Sequence, residues 1–149
     1  MRANPEQLFG HLRGRWRLDR SIEGHAAMRG RATFAAAEEG RLHYREDGRL
    51  VLASGSEFDA TREYIYAPRQ HGFSVYFQED PPRLFHDVVL VAGQGGEWLG
   101  EADHPCGEDH YRSFYRFLPD GSFVIRHVVT GPRKGYTMVT NYSRAEPDL

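Results

Sequence analysis

The sequence is poor in several features, and each scarcity excludes a class of protein. A single cysteine, Cys106, excludes an internal disulfide, so the chain does not need an oxidising compartment. No apolar run approaches the roughly 18 residues of a membrane-spanning helix, and the first residues lack the apolar core of a signal peptide. A formal net charge of −2 gives no bulk attraction to nucleic acid or to an anionic membrane. We therefore expect a soluble, cytoplasmic protein that binds neither.

Lysine is almost absent as well. Of the 19 basic residues, 18 are arginine and one is Lys134, an imbalance that genomic base composition explains without any function. The lone side-chain amine lies beside Arg133 in a predicted turn at residues 131–135. This pair is either a solvated turn or a basic clamp on a carboxylate or phosphate of a ligand.

The length and apolar content indicate one domain. The chain has 149 residues, of which 40% are hydrophobic. This is enough for a sizeable core and too little for two ordinary domains. We expect residues 1–149 to form a single unit.

The residue pattern predicts one short helix followed only by strands. Asn4 is a suitable N-cap, Pro5 fits the first helical position and Gly14 is a natural stop. From there, apolar and polar residues alternate with a period of two between turn signals. The predicted strands span residues 15–23, 27–37, 42–46, 55–66, 73–77, 83–91, 97–104, 109–118, 121–130 and 135–144.

The turn signals set the connections between these strands. Asp47-Gly48 has the composition of a type I′ hairpin turn, and Pro81-Pro82 should interrupt the chain. About ten strands with short links and no helical crossover predict an all-β antiparallel meander. An up-and-down barrel with one N-terminal helix leaves no exposed edge, whereas a packed sandwich is the alternative. Outward arginines should pair with acids of the middle strands: Arg15, Arg17, Arg29 and Arg31 with Glu57, Asp59 and Glu63.

Two resemblances follow from short motifs. Gly14-Arg15-Trp16 resembles the Gly-x-Trp signature of the calycin barrels, which include lipocalins, fatty-acid-binding proteins and nitrobindin-like proteins. The resemblance implies that Trp16 closes one barrel end and that Arg144, on the last strand, packs over it. Nearly the whole chain also resembles an uncharacterised bacterial and fungal family of unknown function, through residues 12–16, 85–87, 104–111, 131–134 and 140–144.

The calycin resemblance raises the question of a haem group. Nitrobindin-like proteins hold haem through a histidine near the C-terminal end, and here no histidine follows His127. That ligand does not carry over directly, so we expect no cofactor and no metal, with haem or metal binding through an interior histidine as an alternative.

Eight histidines are the most conspicuous polar residues. Four of them are expected to be solvated: His11, His25, His43 and His71. His86 lies in a strand that is apolar on both faces, with the parity of Leu84, Val88 and Leu90, while Asp87 points the other way. Such a buried polar pair either satisfies the barrel interior or lines a ligand site.

The densest cluster of reactive side chains lies at residues 101–111. One interpretation is a tight loop in which Asp109 bonds backbone amides. The other places His104, Asp109 and Tyr111 at the barrel mouth, where strand ends converge. A zinc site or a Cys–His nucleophile pair is poorly supported, since a single cysteine has no partner motif.

Several inward-parity residues predict a partly polar barrel interior. If these strand faces point inward, the interior gains hydroxyls, an imidazole and a guanidinium; otherwise the tyrosines are cross-strand packing residues. The residues with ligand-binding potential are Arg62, Tyr64, Tyr115 and His127, with Arg133 and Lys134 at the hairpin.

Three functions remain open at this point. The first is the binding of a small, aromatic or acidic metabolite in the interior, by a monomer or homodimer. The second is a cofactor-free acid–base enzyme with His86 or His104 as base, oriented by Asp87 or Asp109, and Tyr111 as acid. The third is haem or metal binding through His86, His104 or His127.

Overall fold

A computed structural model describes residues 5–145, so the predicted N-cap Asn4 lies outside the described residues. The helix α1 spans Pro5–Leu12 and is followed only by strands, apart from a short 3₁₀ turn at Glu38–Gly40. Within residues 5–145 no helix is both long and apolar enough to cross a membrane.

Ten antiparallel strands form a closed barrel, which confirms the predicted fold class. Each strand pairs with the next along the chain, and the last pairs with the first. The strands are β1 Gly14–Ile22, β2 Ala26–Ala36, β3 Leu42–Leu52, β4 Glu57–Arg69, β5 Gly72–Phe77, β6 Arg83–Ala92, β7 Trp98–Cys106, β8 Asp109–Phe117, β9 Phe123–Thr130 and β10 Gly135–Arg144.

One end of the barrel is closed where α1 meets β1. Trp16 is fully buried, and its indole N–H donates to the Leu12 carbonyl at 2.8 Å. The Arg144 guanidinium carbon lies 4.1 Å from the Trp16 ring centroid, a cation–π contact. Arg144 also donates to the carbonyls of Arg13, at 3.0 Å, and His11. These bonds satisfy carbonyls that the end of the helix leaves free.

The predicted hairpin at Asp47-Gly48 is wrong. Both residues lie inside β3, where Gly48 pairs with Gly30 of β2. A Cβ on Gly30 would lie 2.1 Å from the Asp47 carbonyl oxygen, so the two strands approach too closely for any side chain there. The chain turns later, near Gly55, whose φ of +93° suits a glycine. Gly48 therefore permits the close approach of β2 and β3 and does not form a turn.

The prediction that both faces of β6 are buried is also wrong. Val89 and Val91 are 60% and 57% exposed, because they point away from the barrel. His86 faces inward with Val88 and Leu90, which are buried as well.

A β-bulge in the β5–β6 pairing changes the parity of β6. Val75 pairs with His86 and Tyr76 with Leu84, so Phe85 is the extra residue between them. Phe85 and His86 are consequently both buried, whereas Leu84 is 43% exposed. The predicted shared face of Leu84 and His86 therefore does not exist.

The outer salt bridges follow strand register and correct the predicted partners. Glu57 and Asp59 pair with Arg49, at 3.7 and 2.8 Å, because β3 lies directly beside β4. Glu63 contacts Arg45 at 3.6 Å for the same reason. The predicted partners Arg15, Arg17, Arg29 and Arg31 lie on β1 and β2, which do not pair with β4.

Substituting Gly30 by Ala should destabilise the barrel. The added Cβ would overlap backbone atoms of β3, and such overpacking costs about 1–3 kcal/mol. Gly135→Ala is the matched control, since nothing lies within 4 Å of its added Cβ. Urea denaturation followed by tryptophan fluorescence measures both, and equal unfolding free energies for the two variants would contradict the close approach.

Candidate functional site

The end of the barrel opposite Trp16 opens into a cavity of about 720 Å³. It lies where β1 ends and β10 begins, and Ile22 and Met138, which pair with each other, contribute to its wall. Its size is within the range of small-molecule sites. Five aromatic side chains line it: Tyr64, Phe77, Phe85, Tyr111 and Tyr136.

Three of these aromatic rings, those of Tyr64, Phe77 and Phe85, lie against one another and form one side of the cavity. Tyr64 and Phe85 are nearly parallel, with an interplanar angle of 14° and centroids 6.2 Å apart. Phe77 lies 4.9 Å from Phe85, and the Arg83 guanidinium covers Phe77 at 4.2 Å from its centroid. Arg83 is paired with Glu79 at 2.9 Å, so its charge is largely compensated.

A buried ion pair lies below the cavity, between β1 and β3. Arg20 donates to both oxygens of Glu46, at 2.7 and 2.9 Å, and to the Thr140 hydroxyl at 2.8 Å. The Tyr44 hydroxyl donates to Glu46 at 2.7 Å and contacts the Tyr142 hydroxyl at 2.8 Å. Burial raises the pKa of Glu46, but the hydrogen bonds and charge of Arg20 outweigh it and leave that pKa lowered.

Arg62 lies between this ion pair and the open cavity. Its Nη1 donates to the Tyr64 hydroxyl at 3.1 Å, and its side chain is exposed to the cavity. Attraction to the Tyr64 hydroxyl, the largest cause, and to Glu46 raises the pKa of Arg62. Both Glu46 oxygens already bind Arg20, and no carboxylate in residues 5–145 forms a salt bridge with Arg62.

Two interior histidines are held neutral. His86 is 2% exposed; its Nε2 lies 2.6 Å from the Tyr115 hydroxyl and its Nδ1 has no partner among the described residues. Burial lowers its pKa to about 3. His127 lines the cavity, its Nδ1 lies 2.7 Å from Ser113 Oγ, and burial followed by the charge of Arg20 lowers its pKa to about 4.

Comparison with known protein families assigns the chain to one of them. A family of unknown function, DUF6314, matches residues 12–144. The chain belongs to the DUF6314 family. No curated protein matches it. The matched range of DUF6314 contains all ten strands and every residue that lines the cavity.

The DUF6314 barrel brings five of the predicted site residues to one cavity. Three of these are predicted ligand-binding residues and two are predicted catalytic residues: Arg62, Tyr64 and His127, and His104 and Tyr111.

The other predicted residues lie elsewhere in the DUF6314 chain. Tyr115 is buried below the cavity, beside His86. Asp109 lies on the rim, where its carboxylate is 3.3 Å from Lys134 Nζ, and both line a shallow surface depression with Arg133. His86 and Asp109 therefore do not join His104 and Tyr111 in the cavity.

Histidine–carboxylate contacts in this DUF6314 protein lie outside the barrel. His110 is 3.1 Å from Asp103 and His43 is 3.1 Å from Glu63, all on outward strand positions. Among the described residues, the cavity histidines have no carboxylate partner, and no group of three or more side chains is placed to hold a metal. His25 is exposed, as expected, and it also borders the cavity, where its ring lies edge-to-face with Tyr136.

Sequence reasoning missed the ion pair under the DUF6314 cavity. Arg20 has the inward parity of Trp16 and Leu18, and Glu46 has that of Tyr44. The sequence did contain a signal for the ion pair, namely a charged residue at an inward-facing position of β1 and another at an inward-facing position of β3.

Removing one partner of the ion pair should be costly. Glu46→Gln leaves the Arg20 charge buried without a counter-ion, which we expect to lower the unfolding free energy by about 3–5 kcal/mol. The double variant Arg20→Met/Glu46→Leu removes both charges and should recover most of that loss. Chemical denaturation at pH 7 measures both, and a double variant as unstable as the single one would contradict this account.

Neutral His86 and His127 should make the barrel sensitive to acid. Their folded pKa values, about 3 and about 4, lie below the ordinary 6.5 that the unfolded chain recovers. Below pH 6.5 the unfolded state therefore binds more protons, and stability falls as the pH drops towards those values, by about 1.4 kcal/mol per pH unit for each titrating histidine.

The variant His86→Gln tests this pH dependence. Its unfolding free energy, measured from pH 7.5 to pH 4, should fall with a shallower slope than that of the wild type. His71→Gln, an exposed turn position, should keep the wild-type slope. Parallel slopes in all three proteins would show that His86 is not held neutral.

Proposed function

We propose that the open-ended cavity binds a small organic anion that carries an aromatic ring. The observation that carries the proposal is Arg62, a guanidinium that faces an aromatic cavity and forms no salt bridge with any carboxylate among the described residues. The DUF6314 match leaves the function of the family open, so the argument depends on this site alone.

The charges around the cavity floor support an anionic ligand. Arg20 and Glu46 neutralise each other in a bidentate pair, and His127 is neutral. The charge of Arg62 is therefore left over. A guanidinium in a partly enclosed site attracts an anion more strongly than one on an open surface, and its fork matches two carboxylate oxygens.

The shape and lining of the cavity support an aromatic ligand. Tyr64, Phe77 and Phe85 present ring faces and edges on which a flat ring can stack. A volume of about 720 Å³ accommodates a metabolite rather than a chain segment of a macromolecule.

Isothermal titration with 2-naphthoate and its neutral isostere 2-naphthamide tests the proposal. The wild type should bind the carboxylate at least about tenfold more tightly than the amide, because a hydrogen bond to a charged group contributes about 1.5–3 kcal/mol. Arg62→Gln should abolish this preference, and it should leave the fold intact because Arg62 faces the open cavity.

Arg31→Gln is the matched control, since Arg31 is exposed on the outer face of β2. It should retain the preference for naphthoate. Equal affinities of the wild type for the two probes, or a preference that survives in Arg62→Gln, would refute the proposed anion site.

A further inference from the structure

The inference concerns Ser113, which lies directly opposite His127. Ser113 is on β8 and His127 on β9, and the two residues are paired in register. Ser113 is 1% exposed, and its Oγ lies 2.7 Å from His127 Nδ1. No other side-chain hydrogen bond of Ser113 occurs within residues 5–145.

Because Ser113 has no other side-chain hydrogen bond among the described residues, the direction of its bond to His127 is fixed. A serine hydroxyl has one proton to donate, and leaving that proton without an acceptor in a buried site is costly. If Nδ1 carried the histidine proton, it would donate to Ser113 and the hydroxyl proton would have no acceptor in the described part of the chain. Ser113 therefore donates, and Nδ1 accepts.

The proton of the neutral imidazole must then be on Nε2. Among the described residues, His86 Nδ1 is the one buried side-chain nitrogen or oxygen that lacks a hydrogen-bond partner. His127 Nε2 also lacks a partner but is not among the buried atoms, so it is accessible from the cavity. His127 lines the cavity, and its Nε2 makes no hydrogen bond with the described residues. An N–H donor therefore faces the open space.

Arg62 is a cationic donor on the same stretch of wall as His127. Both side chains line the cavity, and both line the small pocket of about 20 Å³ beneath it. The charge of Arg62 is one of the causes that lower the pKa of His127, which places the two groups within electrostatic reach.

We infer that Ser113 holds His127 as the Nε2–H tautomer, and that His127 and Arg62 together form a two-donor subsite for the carboxylate of an aromatic monocarboxylic acid. This rests on the proposed function, because it names the ligand group that the cavity takes. Ser113 acts as a positioning residue, since it touches His127 and not the ligand. A neutral donor beside one cation suits a singly charged group better than a dianion.

The same tautomer disfavours metal ligation by His127. A ring nitrogen that coordinates a metal must supply its lone pair, and here Ser113 occupies the lone pair of Nδ1 while Nε2 carries the proton. Binding a haem iron or zinc through His127 would therefore require Ser113 to lose the Nδ1 atom to which it donates.

The first test needs no ligand. Long-range ¹H–¹⁵N spectra of the ¹⁵N-labelled wild-type protein at pH 7 should show a protonated Nε2 and an unprotonated Nδ1 for His127, assigned by the loss of its signals in His127→Gln. In Ser113→Ala the two tautomers should mix, and Ser113→Thr, which keeps the hydroxyl, should restore the wild-type pattern. A wild-type His127 protonated at Nδ1 overturns the inference whatever the cavity binds.

The second test uses 2-naphthoate. His127→Phe keeps a ring but removes the donor, and it should weaken binding by about tenfold. His127→Gln keeps an N–H donor and should lose less. His71→Phe, at an exposed turn, should bind like the wild type.

The outcomes separate the two claims. If naphthoate binding needs Arg62 but is unchanged in His127→Phe, the two-donor subsite is refuted and the proposed function stands. If the wild type binds no naphthoate, the proposed function and the subsite both fail. If His127→Phe does not fold, the wild-type spectra and the Ser113 variants still decide the tautomer.

Discussion

The ion pair between Arg20 and Glu46 sets both the interior packing and the charge of the cavity. It joins β1 and β3 over the intervening strand β2 and buries two charges, a cost that the bidentate geometry and the hydroxyls of Tyr44 and Thr140 offset. Glu46 carries one negative charge against the two positive charges of Arg20 and Arg62, so the pair with Arg20 leaves one positive charge in excess. The same contact that completes the floor therefore leaves a cation facing the open end.

The two ends of the barrel are specialised in opposite ways. At the closed end, Trp16 packs edge-on against Phe123 at 4.8 Å, and Arg144 ties the end of α1 to the last strand. This end supplies the dense aromatic packing that stabilises a barrel of this size. The open end is consequently free to carry polar side chains, because the stability of the fold does not depend on filling it.

Period-two alternation predicted the fold, because that signal is local to each strand, but it left open which strand faces point inward. It failed where pairing between strands decides. Asp47-Gly48 has turn composition, but its role depends on Gly30, which faces it from β2. The bulge at Phe85 changes which residues of β6 face the interior, and the sequence of β6 alone does not indicate the bulge. Arg20 and Glu46 are 26 residues apart in sequence, so neither explains the other until the barrel brings them together.

His127 adds no charge to the Arg62 end of the cavity at neutral pH, because its pKa is lowered. Burial of the imidazole, followed by the charges of Arg20 and Arg62, disfavours a proton on His127 and lowers its pKa to about 4. A bound carboxylate would attract that proton and raise the pKa again. An opposite charge nearby shifts a pKa by about one to three units, so a bound carboxylate would raise the pKa of His127 to at most about 7. Above neutral pH, ligand binding therefore takes up no proton at His127, and the proposed subsite has its charge on Arg62 and a neutral, directional donor on His127.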